Sequence, residues 1–312
     1  MSKSLNHLCK TLKLSVNKID YIGDKQFPLK VPQDFLEQIT VSDLNDPLLK
    51  QILPVTAEQA VSVGFSKDPV GDLLKNPSPA LIHKYHGRVL LIASPKCDIH
   101  CRYCFRRHFP YQEQTNQRHW QQALQTIAQD PTIHEVILSG GDPMGLTENT
   151  LLGLIQDIEK IQHINTLRIH SRTPIVTPSK APQDALLDWA EHSRLNKVLV
   201  VHCNHKNELS DKTANLLEKY HKSGFTLLNQ SVLLKDINDT SEALVALSHT
   251  LFKQGVLPYY LHQLDKVQGA QHFEVTDTKA LELMKQIRQQ LPGYLVPTLV
   301  REIAGEPNKT PL

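Results

Sequence analysis

No stretch of this 312-residue chain approaches about eighteen consecutive apolar residues, so no helical membrane span is expected. Neither sign of charge is in excess. The 34 Lys and Arg stand against 32 Asp and Glu, so no chain-wide field favours nucleic acid or a membrane surface. The opening MSKSLNHLCKTLKLSVNKID lacks the apolar core of a signal peptide, and neither an internal repeat nor a low-complexity linker interrupts the chain. These absences point to a cytoplasmic protein. Cysteine is scarce too, at five residues. Thiols stay reduced in the cytoplasm, where a tight cysteine cluster points to a metal site rather than a disulfide framework. The 40% hydrophobic content suffices for a large core, in one big domain or two smaller ones.

What is present falls into two parts. Residues 1–80 carry few strand signals; PQDFLEQI, DPLLKQIL and DPVGDLLKN read as short helices with Pro or Asp at their starts. The Pro-containing NPSPALIHKYHG then leads into a regular alternation. Strands are expected at 88–94, 134–140, 166–171, 197–203, 225–234 and 256–264. Helices are expected at 116–129, 147–161, 183–193, 207–222, 241–253 and 276–290. Six strands each followed by a helix imply an α/β fold, a partial (β/α)6 barrel preceded by a small helical region. Small and polar residues gather just after the strands: a cysteine loop after the first, GGDP after the second, SRTP after the third, NH after the fourth, LD after the sixth. Sites are built at that edge of such sheets, so these loops would converge on one site.

The cysteine loop, SPKCDIHCRYCFRRHF, holds Cys97, Cys101 and Cys104 in a C-x3-C-x2-C spacing. Three ligands fit a cubic [4Fe–4S] cluster whose fourth iron stays open, with Arg102, Arg106 and Arg107 offsetting its negative charge. A zinc site completed by His100 or His108 is the alternative. The spacing, with Tyr103 before the last cysteine, resembles the radical S-adenosylmethionine (SAM) enzymes. In that family SAM chelates the open iron and is cleaved to a radical that abstracts hydrogen from substrate. LSGGDP resembles the glycine-rich segment that meets SAM, which makes Gly140, Gly141 and Asp142 cofactor-binding candidates; Asp142 reads equally as a helix cap.

The order C-x3-C-x2-C-F-R-R, LSGGDP, SRTP, LNQSVLL, YYLHQLD and GYLVP with a final K-T-P resembles the lysine 2,3-aminomutases over about residues 80–312. Every role that follows is what this resemblance implies. Lys309 takes the place of the lysine that forms a Schiff base with pyridoxal 5′-phosphate (PLP). Arg88 and Tyr85 match residues that hold PLP, and Lys84 replaces another basic phosphate contact. Arg106 matches the arginine that pairs with the substrate α-carboxylate, and Asp265 falls where the ε-ammonium binds. Glu302 stands where the best-known members have a second aspartate. Taken singly, each reads more blandly: Lys309 as a tail lysine, Arg88 as a snorkelling residue at a strand start, Arg106 as a counter-charge, the two acids as surface groups. The chain then divides into a helical region (1–80), the barrel (81–292) and a PLP-lysine segment (293–312).

Many relatives carry a zinc-ligating cysteine after the fifth strand and a three-cysteine cluster in a C-terminal extension. Here Thr240 stands at the first place and the sequence stops at Leu312, so no structural zinc is expected. Cys9 and Cys203 match no ligand position and read as buried or incidental thiols. The REIAGEPNKTP ending resembles the subgroup making β-lysine for elongation factor P. The implied partners are L-lysine, a flavodoxin- or ferredoxin-like reductant, and functionally the factor and its ligase. Two other readings stand beside this one: a radical-SAM aminomutase for arginine or ornithine, and a non-catalytic metal-binding adaptor of translation.

Overall fold

The computed structural model describes residues 3–312 apart from 16, 18 and 23–26. Among the described residues nine strands form one sheet in chain order, and its first and last members do not pair. β1 (Leu81–Tyr85) and β2 (Arg88–Ser94) form an antiparallel hairpin. Parallel to β2 follow β3 (Glu135–Gly140), β4 (Thr166–Ser171), β5 (Asn196–His202), β6 (Phe225–Val232), β7 (Leu257–His262) and β8 (Thr298–Arg301). β9 (Thr310–Pro311) returns antiparallel to β8 at the edge, where a proline costs no ladder hydrogen bond.

Helices α1 (Lys3–Thr11), α2 (Gln33–Leu36) and α3 (Pro47–Lys50) precede the sheet. The crossovers carry α4 (Tyr111–Gln114) and α5 (Gln117–Gln129), α6 (Glu148–Glu159), α7 (Thr173–Val176) and α8 (Asp184–His192), α9 (Asp211–Lys222), α10 (Ser241–Lys253) and α11 (Asp277–Gln290). Five of these start on a polar cap. The side chains of Asn116, Thr147, Ser210, Thr240 and Thr276 each accept a first-turn backbone N–H, at about 1 kcal/mol apiece. Thr240 thus has a helix to start.

The six expected β/α units are present, so the sheet is a partial barrel. The expectation leaves out β1, β8 and β9. β8 is only TLVR, too short to show a period, and it extends the parallel run to seven strands. Residues 293–312 are therefore woven into the sheet. Along each strand the side chains alternate between the lumen and the helices. On β4, Thr166, Arg168 and His170 line the lumen, whereas Leu167 and Ile169 are fully buried behind it.

Leu5, Leu8, Leu12, Phe35 and Leu48 share one hydrophobic cluster with Leu91, Val136 and Leu167 of the sheet. Each such side chain stabilises the fold by roughly 1.5–3 kcal/mol, so the N-terminal helices are packed onto the barrel wall. Among the described residues no helix is long and apolar enough to cross a membrane.

Candidate active site

The lumen holds a cavity of about 900 Å³, at the upper end of what one ligand site needs. Of the site residues singled out from the sequence, all but Arg102 and His108 line it. Cys97, Cys101, Cys104 and Arg106 come from the loop after β2, and Gly140, Gly141 and Asp142 from the end of β3 and the turn after it. Tyr85 and Arg88 come from the first hairpin, Asp265 from the loop after β7, and Glu302 and Lys309 from the turn between β8 and β9.

All five cysteines are free thiols. Burial pushes Cys97 well above its ordinary value, and the Asp142 carboxylate and the other two cysteines add to this. Cys104 is pushed up to about 11, by burial and then by Cys101. Such thiols stay protonated until a metal takes the proton's place. A single zinc ion needs all its donors about 2.3 Å from one point, and among the described residues no three His, Cys, Asp or Glu groups gather that way. A cube in which each thiolate takes its own iron needs no such common point.

Of the expected counter-charges, Arg106 and Arg107 favour the Cys104 thiolate, while Arg102 is engaged elsewhere. Arg102 is fully buried, and its Nε and Nη2 donate to the two oxygens of Glu58, at 2.8 and 2.5 Å. Arg107 donates to the same carboxylate at 2.8 Å. Both arginines anchor the loop to the N-terminal region. The guanidinium that reaches the sulfur is Arg172, from SRTP. It donates to Cys101 Sγ and to Tyr103 Oη, and its other nitrogen donates to Gln51 and Glu208, each at 2.8 Å.

The glycines are required by close backbone contact. A Cβ on Gly141 would lie 2.4 Å from the Lys96 carbonyl oxygen, and one on Gly140 (φ +117) 2.9 Å from that of Ser94. The strand end can therefore press against the cysteine loop, where Gly141 N–H donates to Ser94 and Asp142 N–H to Lys96. Asp142 is a cap: its carboxylate accepts from Met144, Ser171, Arg172 and Thr173 and so ties the β3 and β4 loops together.

At the other end, sheet register does the placing. Arg301 pairs with Thr310, so the next residues out, Glu302 and Lys309, meet at the neck of the turn. Lys309 Nζ donates to Glu302 Oε2 at 2.6 Å, and Lys84 Nζ to Oε1 at 2.8 Å. Burial opposes ionisation of Glu302, but Lys309 and Lys84 outweigh it and hold the carboxyl well below the usual range. Asp265 behaves oppositely. Burial pushes it up to about 7, only partly offset by Lys309. The Arg88 guanidinium lies 4.9 Å from the Tyr85 ring centre, a stacking distance set by the hairpin pair Tyr85↔Arg88.

Several lining groups escape the sequence reading. Asp72, 2% exposed, pairs with Arg106 and Lys84. His170, His202 and His262 project into the lumen from β4, β5 and β7. Burial drives all three toward the neutral form, His202 to about 3. His170 Nε2 and His202 Nε2 have no partner among the described residues, so the cavity wall offers polar atoms to a ligand. The signal for the histidines is parity: each shares the lumen-facing alternation of its strand.

Residues 86–201 match the family described as a 4Fe-4S single cluster domain. The chain is 48% identical to the L-lysine 2,3-aminomutase of Escherichia coli (strain K12), an alignment spanning 92% of this chain and 84% of that one. It is 47% identical to that of Haemophilus influenzae, over 92% and 85% of the two chains. It is 40% identical to that of Buchnera aphidicola subsp. Baizongia pistaciae, over 97% and 90%. Identity at this level, over at least 92% of this chain and at least 84% of each relative, means that the chain belongs to the lysine 2,3-aminomutase family.

Proposed function

We propose that the chain is an L-lysine 2,3-aminomutase, moving the α-amino group of free L-lysine to the β-carbon, with a [4Fe–4S] cluster, SAM and PLP as cofactors. The observation that carries this reading is the meeting, in one cavity, of a three-cysteine loop and a lysine beside two carboxylates. In this reading Cys97, Cys101 and Cys104 hold three irons. Gly140, Gly141 and Asp142 receive SAM, and Lys309, Tyr85 and Arg88 hold PLP. Bound cluster and SAM supply a hydrogen-abstracting radical, and PLP supplies the conjugated system that carries the migrating nitrogen.

The chain's own residues then have three tasks. Arg106 grips the substrate carboxylate, for which a guanidinium offers two parallel hydrogen bonds. Asp265 and Glu302 receive the ε-ammonium at the other end, and together the two grips fix the β-carbon between them. A substrate with an uncharged side chain would leave the buried Asp265 without a cation of its own, whereas Glu302 keeps Lys84, so the site selects for a cationic amino acid. The half-closed barrel excludes water around the reacting carbon. Lys309 must give up the proton it shares with Glu302 before its amine can act as a nucleophile.

We assign residues 1–80 to bracing the cysteine loop, 81–292 to the barrel that holds cluster, SAM and the other PLP and substrate contacts, and 293–312 to the PLP lysine. On the resemblance of the REIAGEPNKTP ending, the β-lysine serves modification of elongation factor P, and a flavodoxin- or ferredoxin-like protein reduces the cluster. The test is anaerobic reconstitution with iron, sulfide, PLP, SAM and reductant, then product analysis on L-lysine, L-arginine and L-ornithine. β-Lysine from L-lysine supports the reading; its absence with cluster and PLP both bound sinks it. Adding the factor and its ligase, and weighing the factor for a β-lysyl increment, tests the last step.

A further inference from the structure

We propose that Asp72 is a positioning residue for the substrate carboxylate: it fixes the Arg106 guanidinium through Nε and so aims the remaining nitrogens at the amino acid. The proposal rests on the reading of Arg106 as the carboxylate's partner. Asp72 lies outside the β/α units, just before a 3-10 turn at Leu73–Lys75. It is 2% exposed and divides its two oxygens between two cations. Oδ2 accepts from Arg106 Nε at 2.7 Å, and Oδ1 pairs with Lys84 Nζ at 2.6 Å. A carboxylate and a guanidinium left to themselves form two parallel bonds. Here Lys84 draws one oxygen away, so Asp72 holds Arg106 by a single edge atom. The Ser139 hydroxyl on β3 lies 3.3 Å from Arg106 Nη1 and fixes the group from another element. Two supports on separate elements set the plane of the guanidinium.

The loop bearing Asp72 is itself pinned. Lys84 Nζ donates to the Val70 carbonyl at 2.8 Å, and the Asp72 N–H donates to Asp68 Oδ1 at 3.0 Å. Gly71 has a positive φ of 66°, and a Cβ there would come 3.2 Å from that of Ala304 in the β8–β9 turn. Through Lys84, Asp72 is joined to Glu302 and Lys309. Charges therefore alternate from the group expected to take the carboxylate to the groups expected to take the ammonium and PLP. This gives the N-terminal region a working part in the site.

The test measures ligand affinity on enzyme loaded with cluster, SAM and PLP but given no reductant, so that nothing turns over. L-Lysine is compared with 1,5-diaminopentane, which has both amines and no carboxylate. Asp72→Asn is expected to weaken L-lysine by roughly ten- to a hundredfold, the loss of one charge-assisted hydrogen bond's orientation, and to leave diaminopentane within about threefold. In an Arg106→Gln background the Asp72 substitution is expected to add nothing. An equal loss for both ligands, an unchanged L-lysine affinity, or full additivity overturns the proposal. If the Asn variant does not fold, the smaller Asp72→Ser takes its place under the same readouts. Absence of L-lysine binding to the unsubstituted enzyme overturns instead the functional reading on which Asp72's role stands.

Discussion

The two ends of the cavity are held in different ways. Around the cysteines the charges are deeply buried and matched: Arg102 with Glu58, and Arg172 with Glu208, all at most 6% exposed along their side chains. The N-terminal region closes over them. Around Lys309 the pairs are shallower, with side chains 21% and 14% exposed for Lys309 and Glu302, and the turn between them is open to solvent. Breaking a deep pair leaves a charge without water or partner, whereas a shallow one can exchange partners. An iron–sulfur cluster wants a rigid cage, and in the proposed function a lysine that must release its ion pair to take a cofactor wants a loose one.

The sharpest way to break this contrast is to disable each end alone. Cys101→Ala is expected to abolish β-lysine formation together with the brown absorbance and bound iron, while Cys203→Ala keeps all three. Iron determination beside product analysis checks this. Lys309→Met is expected to abolish product and the PLP band yet leave iron content unchanged. Its folding stability should move by no more than about 1 kcal/mol, because Glu302 keeps Lys84 as a partner. Loss of the cluster in Lys309→Met would show that the two ends are not separable.

Next in size is the brace of the cysteine end. Glu58 serves Arg102 and Arg107 together, so Glu58→Gln leaves two buried guanidiniums short of charge. The expected cost is about 3–5 kcal/mol in chemical denaturation, with weaker cluster retention as a consequence. A cost near zero would mean that N-terminal packing alone holds the loop.

The two ends also differ in how readily the sequence reveals them. The cysteine spacing is local, and the β/α rhythm placed its loop at the right sheet edge. Lys309, Glu302 and Asp265 carry no local pattern. They are found only because the family resemblance names their places, and Arg301↔Thr310 register then brings two of them together. Arg102, Arg107 and Arg172 show the limit of proximity in sequence. Neighbours of the cysteines are drawn off by Glu58, forty-four residues before Arg102, while an arginine seventy-one residues beyond Cys101 reaches its sulfur. β8 and Asp72 escape for the same reason. A four-residue strand has no readable period, and an acid in an irregular loop acquires meaning only from what folds against it.

The smallest effect separates the two acids at the loose end. Asp265 has its folded value raised from 3.8 to about 7, chiefly by burial, so the folded chain holds a proton there that the unfolded chain has lost. Stability is therefore expected to fall as pH rises between about 4 and 7, by at most about 4 kcal/mol and by less where cavity water screens the charge. Glu302 has the opposite sign. Its folded value is lowered, so its contribution is present above the unfolded value of 4.5 and is lost only as pH falls below it. Within the window from about 5 to 7 Asp265 alone of this pair supplies a slope. Denaturation midpoints of the cofactor-free protein across that window check this: Asp265→Asn should flatten the curve, whereas Glu302→Gln should lower it and only lessen its slope, because the Glu302 charge helps to raise Asp265. A flat curve before substitution would mean that Asp265 is already ionised against Lys309, and that the two acids stand as an equal pair.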